Sequence, residues 1–188
     1  MREKLKNTES IFSRLFHGAF ILVSIAFLSS CSAHRKECIV DSQWKDVRSG
    51  QGGCLVVYQD RLLVVRDRAS GKLKVPGAHA DLGEFAQCAA YRVTLEQTGF
   101  EVIVKRLRLR MPGNFNIYEC TLAQGRSPDL SEVEKFSYFA NSQISEVLWV
   151  NPDEVDDSDW LYPDYSRQIK GVYDLNNERV NKSAEPTN

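Results

Sequence analysis

One segment, residues 84 to 98, constrains this chain more than any other. It contains neither glycine nor proline, and its apolar residues Phe85, Cys88, Ala89, Val93 and Leu95 return at roughly helical spacing. Gly99 stands where a left-handed C-cap is wanted. The surroundings read differently. Residues 54 to 58 and 62 to 65 are short β-branched runs separated by Gln59-Asp60-Arg61, the signal of a hairpin or near-hairpin. Residues 100 to 104, 107 to 110, 115 to 122, 136 to 140 and 147 to 150 also read as strands. Asn151 can cap a helical turn with Pro152 at its first position, and 162 to 175 reads as a last helix. Strands around one central helix, with a second near the end, predict an α/β (α+β) sandwich with a mixed sheet. A chain of 188 residues with 43% hydrophobic content can bury one such core, and no internal repeat is visible.

The N-terminus is set aside from that fold. Arg2, Lys4, Lys6 and Arg14 form a basic leader, and residues 19 to 28 are apolar except for Ser24. The run is shorter than the roughly 20 apolar residues of a spanning helix and suits an export signal. Leu28-Ser29-Ser30-Cys31 then resembles the lipobox of bacterial lipoproteins, which makes Cys31 the lipidation site. A cleaved secretory peptide or an uncleaved anchor, with Cys31 incidental, is the competing reading. The resemblance implies a signal peptide over 1 to 30, then the lipidated cysteine and a tether over 31 to 52. A folded domain follows over 53 to 175, and a flexible tail over 176 to 188. Ser32 is not the aspartate linked to inner-membrane retention, so in a Gram-negative cell the rule points to a membrane anchor in the outer membrane, facing the periplasm.

Without the leader the chain holds 20 basic and 23 acidic residues. A nucleic-acid partner would call for a basic face. The nearest candidate, Lys105, Arg106, Arg108 and Arg110, alternates with Val104, Leu107 and Leu109 and reads as a solvated strand face. Apart from Cys31 there are four cysteines, Cys38, Cys54, Cys88 and Cys120, an even number that suits disulfides in an exported protein, with three possible pairings. We expect Cys88 with Cys120, on the reasoning that the latter's strand runs beneath the helix, and Cys38 with Cys54. No C-x2-C pair supports a metal cluster.

Pro76-Gly77-Ala78-His79-Ala80-Asp81-Leu82-Gly83-Glu84, followed by Ala89-Ala90-Tyr91-Arg92-Val93-Thr94-Leu95-Glu96-Gln97-Thr98-Gly99-Phe100, resembles the Nudix box, G-x5-E-x7-R-E-U-x-E-E-x-G-U with U apolar. Glu84, Arg92, Glu96, Gly99 and Phe100 fall in register. Ala78, Val93, Thr94 and Gln97 depart from it. The flanks, Leu62-Leu63-Val64-Val65-Arg66 before Lys72-Leu73-Lys74-Val75-Pro76-Gly77 and Glu146 to Val155 afterwards, are arranged as such domains arrange them. The resemblance covers about residues 53 to 155 and implies a Nudix-type α/β/α sandwich.

The chemistry of that box is clear without the family: hydrolysing a diphosphate requires neutralised phosphates and an activated water, and clustered carboxylates around Mg²⁺ or Mn²⁺ supply both. Positions 93, 96 and 97 lie at i, i+3 and i+4 and share one helix face. Here they are Val93, Glu96 and Gln97. The resemblance implies Glu96, Glu84 and the main-chain carbonyl near Gly77 as metal ligands and Arg92 as the group orienting the carboxylates, with Arg66, Lys72 or Lys74 meeting phosphate. Position 93 argues against hydrolysis, because a valine offers nothing to a metal unless Glu119, Glu146 or the acidic run 153 to 159 substitutes. Taken singly, Arg92 with Glu96 is an ordinary i,i+4 pair and Glu84 an ordinary helix start. Three readings follow: an envelope hydrolase of a nucleoside diphosphate linked to another group, a binding module of the same fold, or an assembly lipoprotein using the fold as a scaffold.

Overall fold

In the computed structural model the described residues are 37–123, 128–130 and 143–184. The leader 1 to 30, Cys31, the strand expected at 136 to 140 and most of the loop 124 to 134 lie outside them. The compact unit begins at Cys38.

Strand β1 (Gln51–Tyr58) and β2 (Arg61–Asp67) are joined by Gln59 and Asp60, both at positive φ, which confirms the hairpin. Two short strands follow, β3 (Leu73–Lys74) and β4 (Gly77–Ala78), then helix α1 (Ala86–Thr98). The runs read as separate strands at 100 to 104 and 107 to 110 are one strand, β5 (Val102–Met111), interrupted by register shifts on either side of Leu107. β6 (Phe115–Leu122), β7 (Ile144–Val150) and helix α2 (Pro163–Ala184) complete the fold. The strand path is β3-β2-β1-β6-β5, with β4 on β1 and β7 on β2; β1 and β6 run parallel and the other pairs antiparallel, so the sheet is mixed.

Alternation along β1 and β2 makes two cores. Cys54, Val56, Leu63 and Val65 pack with Ala86, Ala90 and Tyr91 of α1. Leu55, Leu62 and Val64 pack with Ile169, Val172 and Tyr173 of α2. Helix–sheet–helix is the layering the sequence predicts. Among the described residues no helix is long and apolar enough to cross a membrane.

Three expectations need correction. Part of the stretch read as tether is built into the domain. Val40 bridges Val104, Ala86 N–H donates to Arg48 O, and the Gln87 amide accepts from Asp46 N–H while donating to Trp44 O and Lys105 O. Gln87 is buried, and its amide satisfies three main-chain groups, at Trp44, Asp46 and Lys105. Helix α2 continues to Ala184, through residues read as a tail, because no proline or glycine interrupts it after Gly171. The disulfides are Cys38–Cys88 and Cys54–Cys120, not Cys88–Cys120 and Cys38–Cys54. Parallel pairing sets Cys120 opposite Val56, beside Cys54, with Cα atoms 5.5 Å apart. Ala86 and Ala90 face β1, so Cys88, about 200° round the helix from Ala86, turns away from the sheet toward the N-terminal segment.

Candidate ligand-binding site

Helix α1 lies close on β1 because Gly52 has no side chain; a Cβ there would stand 1.9 Å from Ala86 O. The helix is capped as expected, with Gly99 at φ 72° and its N–H donating to Leu95 O. It starts at Ala86 rather than Glu84. Two of the departures from the box are absorbed locally. Thr94 is fully buried and donates its hydroxyl to Ala90 O at 2.7 Å, so it fills an apolar position with its polar group satisfied. Ala78 lies on β4, paired with Gly52.

Arg92 gathers the acidic groups of the box. Its guanidinium donates to Glu84 at 2.7 and 2.9 Å, to Glu96 Oε2 at 3.1 Å and to His79 O at 3.1 Å, and Asp81 Oδ2 lies 3.6 Å away. Glu84 also accepts from Asp81 N–H at 2.8 Å, and its side chain is only 9% exposed. The Glu84 hydrogen bond, outweighing burial, raises the Arg92 pKa above its ordinary value. The structure thus brings together Glu84, Arg92 and Glu96.

Gly77 has different partners. Its N–H donates to Gln97 Oε1 at 3.1 Å, and its carbonyl receives Gln97 Nε2 and Lys74 Nζ, each at 3.4 Å. Val93, one turn before Gln97, is buried. Burial pushes the Lys74 ammonium below the usual lysine value, and the charge of Asp67 opposes that shift.

These residues do not fit a divalent ion. The carbonyl that would ligate it faces an ammonium and an amide N–H₂, position 93 has no donor, and the two carboxylates are held by Arg92. Among the described residues no group of three His, Cys, Asp or Glu side chains is placed to share a metal.

Beside Gly77 is a cavity of about 150 Å³. Lys74, His79, Met111, Phe115, Trp160 and Tyr162 are among its lining residues. Gly53 and Gly77 leave room for the Phe115 ring, which a Cβ at either would meet at 2.9 Å or less. Trp160 is brought in by a parallel bridge to Leu73. Its indole N–H, buried, has no hydrogen-bond acceptor among the described residues.

Of the three cations expected to meet phosphate, Lys74 lines this cavity. Arg66 pairs with Glu146 across β2 and β7 at 2.6 Å, and Lys72 donates to Ser158 O. Glu146 is thereby engaged, as is Glu119, which pairs with Arg106 and Arg108 on the strand face read as solvated. Phe115, Trp160 and Tyr162 were not singled out by the sequence, where they sit in a strand and beside an acidic run; their only signal was aromatic character.

No protein-family model matches the sequence, and no curated protein matches it. Solved structures do. A Nudix hydrolase from Nitrosomonas europaea aligns at 19% identity and TM-score 0.54, over 69% of this chain and 90% of that one. A second from the same organism aligns at 16% and 0.51, over 69% and 73%. An ADP-ribose pyrophosphatase from Streptococcus suis aligns at 13% and 0.51, over 73% and 92%. On this structural similarity, this chain has the fold of the Nudix hydrolases.

Proposed function

We propose that this chain is an envelope lipoprotein that uses a Nudix fold to bind a small phosphorylated ligand, a nucleoside diphosphate linked to another group, without metal-dependent hydrolysis. The observation that carries the reading is the set of contacts at Gly77: where a diphosphatase of this fold would hold Mg²⁺ or Mn²⁺, Lys74 and Gln97 saturate the carbonyl. Beside it is a cavity whose described lining includes the aromatic Phe115, Trp160 and Tyr162 and the cation Lys74, a combination that suits a planar ring bearing phosphate. The basic leader, the short apolar run and Leu28-Ser29-Ser30-Cys31 support anchoring through Cys31, and two disulfides suit an oxidising compartment.

The full chain in detergent, incubated with ADP-ribose and nucleotide sugars in Mg²⁺ or Mn²⁺, should be thermally stabilised by at least one of them without releasing phosphate. Turnover of about 1 to 10 per second, abolished by Glu96→Gln, would reinstate the hydrolase and overturn this reading. Cys31→Ala should free the protein from membranes. Retention after a high-salt wash would remove the lipid anchor from the proposal.

A further inference from the structure

Lys74 and Trp160 are both lining residues of one cavity, and among the described residues no acceptor is shared by the Lys74 ammonium and the Trp160 indole N–H. Lys74 has three N–H donors, of which one meets Gly77 O at 3.4 Å. Trp160 is 2% exposed, and its Nε1 has no partner among the described residues. A buried donor without an acceptor is costly and therefore rare, so its presence in the wall of a cavity that Lys74 also lines marks a place where an electronegative group belongs. The rest of the lining is mixed, with Met111, Phe115 and Ile117 apolar and Gln51, His79, Gln143 and Tyr162 polar. A ring with one anionic substituent would meet both kinds of surface.

The position of Lys74 adds a second consequence. Its Nζ is on the Gly77 carbonyl, with the Gln97 amide on the same oxygen. A divalent ion at that oxygen would have to displace both donors and sit against a positive charge. An ammonium there also does part of what a metal would do for a phosphate, since it places positive charge at the cavity wall. It does so as a single point charge on a flexible stem, without the ordered waters and several ligands that Mg²⁺ requires.

Building on the proposed function, we propose that Lys74 is the resident cation of this site, standing where a divalent ion would sit, and that with Trp160 it binds the phosphoryl group of the ligand without metal. Trp160 donates to a phosphoryl oxygen and Lys74 supplies the charge. No covalent step is involved.

Two measurements on the full chain in detergent test this. In the first, ADP and inorganic pyrophosphate are titrated calorimetrically in EDTA and in Mg²⁺. ADP should bind equally in both and more tightly than pyrophosphate. Lys74→Met should weaken binding at least tenfold, Lys74→Arg should retain most of it, and Trp160→Phe should weaken it about fivefold. Binding that needs Mg²⁺ and survives Lys74→Met overturns the inference and leaves the proposed function standing; no binding of either probe in either condition overturns both. In the second, Mn²⁺ alone is titrated and followed by electron paramagnetic resonance. Val93→Glu/Gln97→Glu should gain little Mn²⁺ affinity while Lys74 is present, and adding Lys74→Met should raise it at least tenfold. Equal Mn²⁺ binding with and without Lys74 overturns the inference irrespective of the ligand.

Discussion

Gly52→Ala should be among the most damaging single-methyl changes this protein can receive. The added Cβ would stand 1.9 Å from Ala86 O, 2.6 Å from Ala90 N and 3.0 Å from Ala86 C. All three are main-chain atoms of α1, so no rotamer change relieves the contact. Restoring an ordinary separation of 3.4 Å from the carbonyl oxygen moves the helix out by about 1.5 Å. That lifts buried Ala86 and Ala90 from β1 and stretches the Gln97 bonds to Gly77, which are already 3.1 to 3.4 Å long. Overpacking where side chains yield costs about 1 to 3 kcal/mol; with backbone on both sides the upper end applies. Alanine restricts the unfolded chain and returns about 0.4 to 1 kcal/mol, leaving a net loss of about 2 to 3 kcal/mol. Denaturant unfolding with disulfides intact measures it. Gly71→Ala is the control, because Gly71 has φ +71° and nothing within 4 Å, so only the left-handed backbone is penalised, by about 1 to 2 kcal/mol. If Gly52→Ala proves the milder of the two, the helix is not seated on β1 as described.

Non-reducing peptide maps should yield Cys38–Cys88 and Cys54–Cys120, and Cys54→Ala/Cys120→Ala, which opens a loop of 66 residues, should lower stability by about 4 kcal/mol; a Cys88–Cys120 peptide would refute the pairing. Arg92→Met leaves the nearly buried Glu84 carboxylate without its cation and should cost about 3 kcal/mol, most of it recovered in Arg92→Met/Glu84→Gln. A neutral single variant in thermal unfolding would show that the pair is not coupled. The Tyr91 hydroxyl, which donates to Glu101, is pushed up to about 12, by burial first and then by that carboxylate. The folded value exceeds the unfolded one of about 10, so this contribution is complete below pH 10 and disappears as pH rises toward 12. Tyr91→Phe should unfold less steeply than the parent across that window, and parallel curves would exclude Tyr91 as the cause.

The fold was legible because its strongest signals are local. An unbroken helical segment ending at Gly99 and a hairpin at Gln59-Asp60-Arg61 between β-branched runs each depend on neighbours in sequence; the structure has both, with the helix starting two residues later and Arg61 already in β2. The site was legible only in part, since what decides it comes from distant segments. Arg92 with Glu84 and Glu96 could be read from helical spacing and box register. The partners of Gly77 could not: Lys74 reaches its carbonyl because β3 and β4 bend around Pro76, and Gln97 arrives from the last turn of α1, twenty residues on. Trp160 joins the cavity through a bridge to Leu73 that spans 87 positions. The disulfides make the same point in reverse. Position along the helix suggested Cys88 over the sheet, whereas the angle round the helix, also available from sequence, points it away once Ala86 and Ala90 are known to face Gly52. A missing carboxylate at position 93 is visible in the sequence, but the contacts of Gly77 with Lys74 and Gln97 are visible only in the structure. On the proposed reading Lys74 would favour binding over hydrolysis, because an ammonium can attract a phosphate and cannot activate a water.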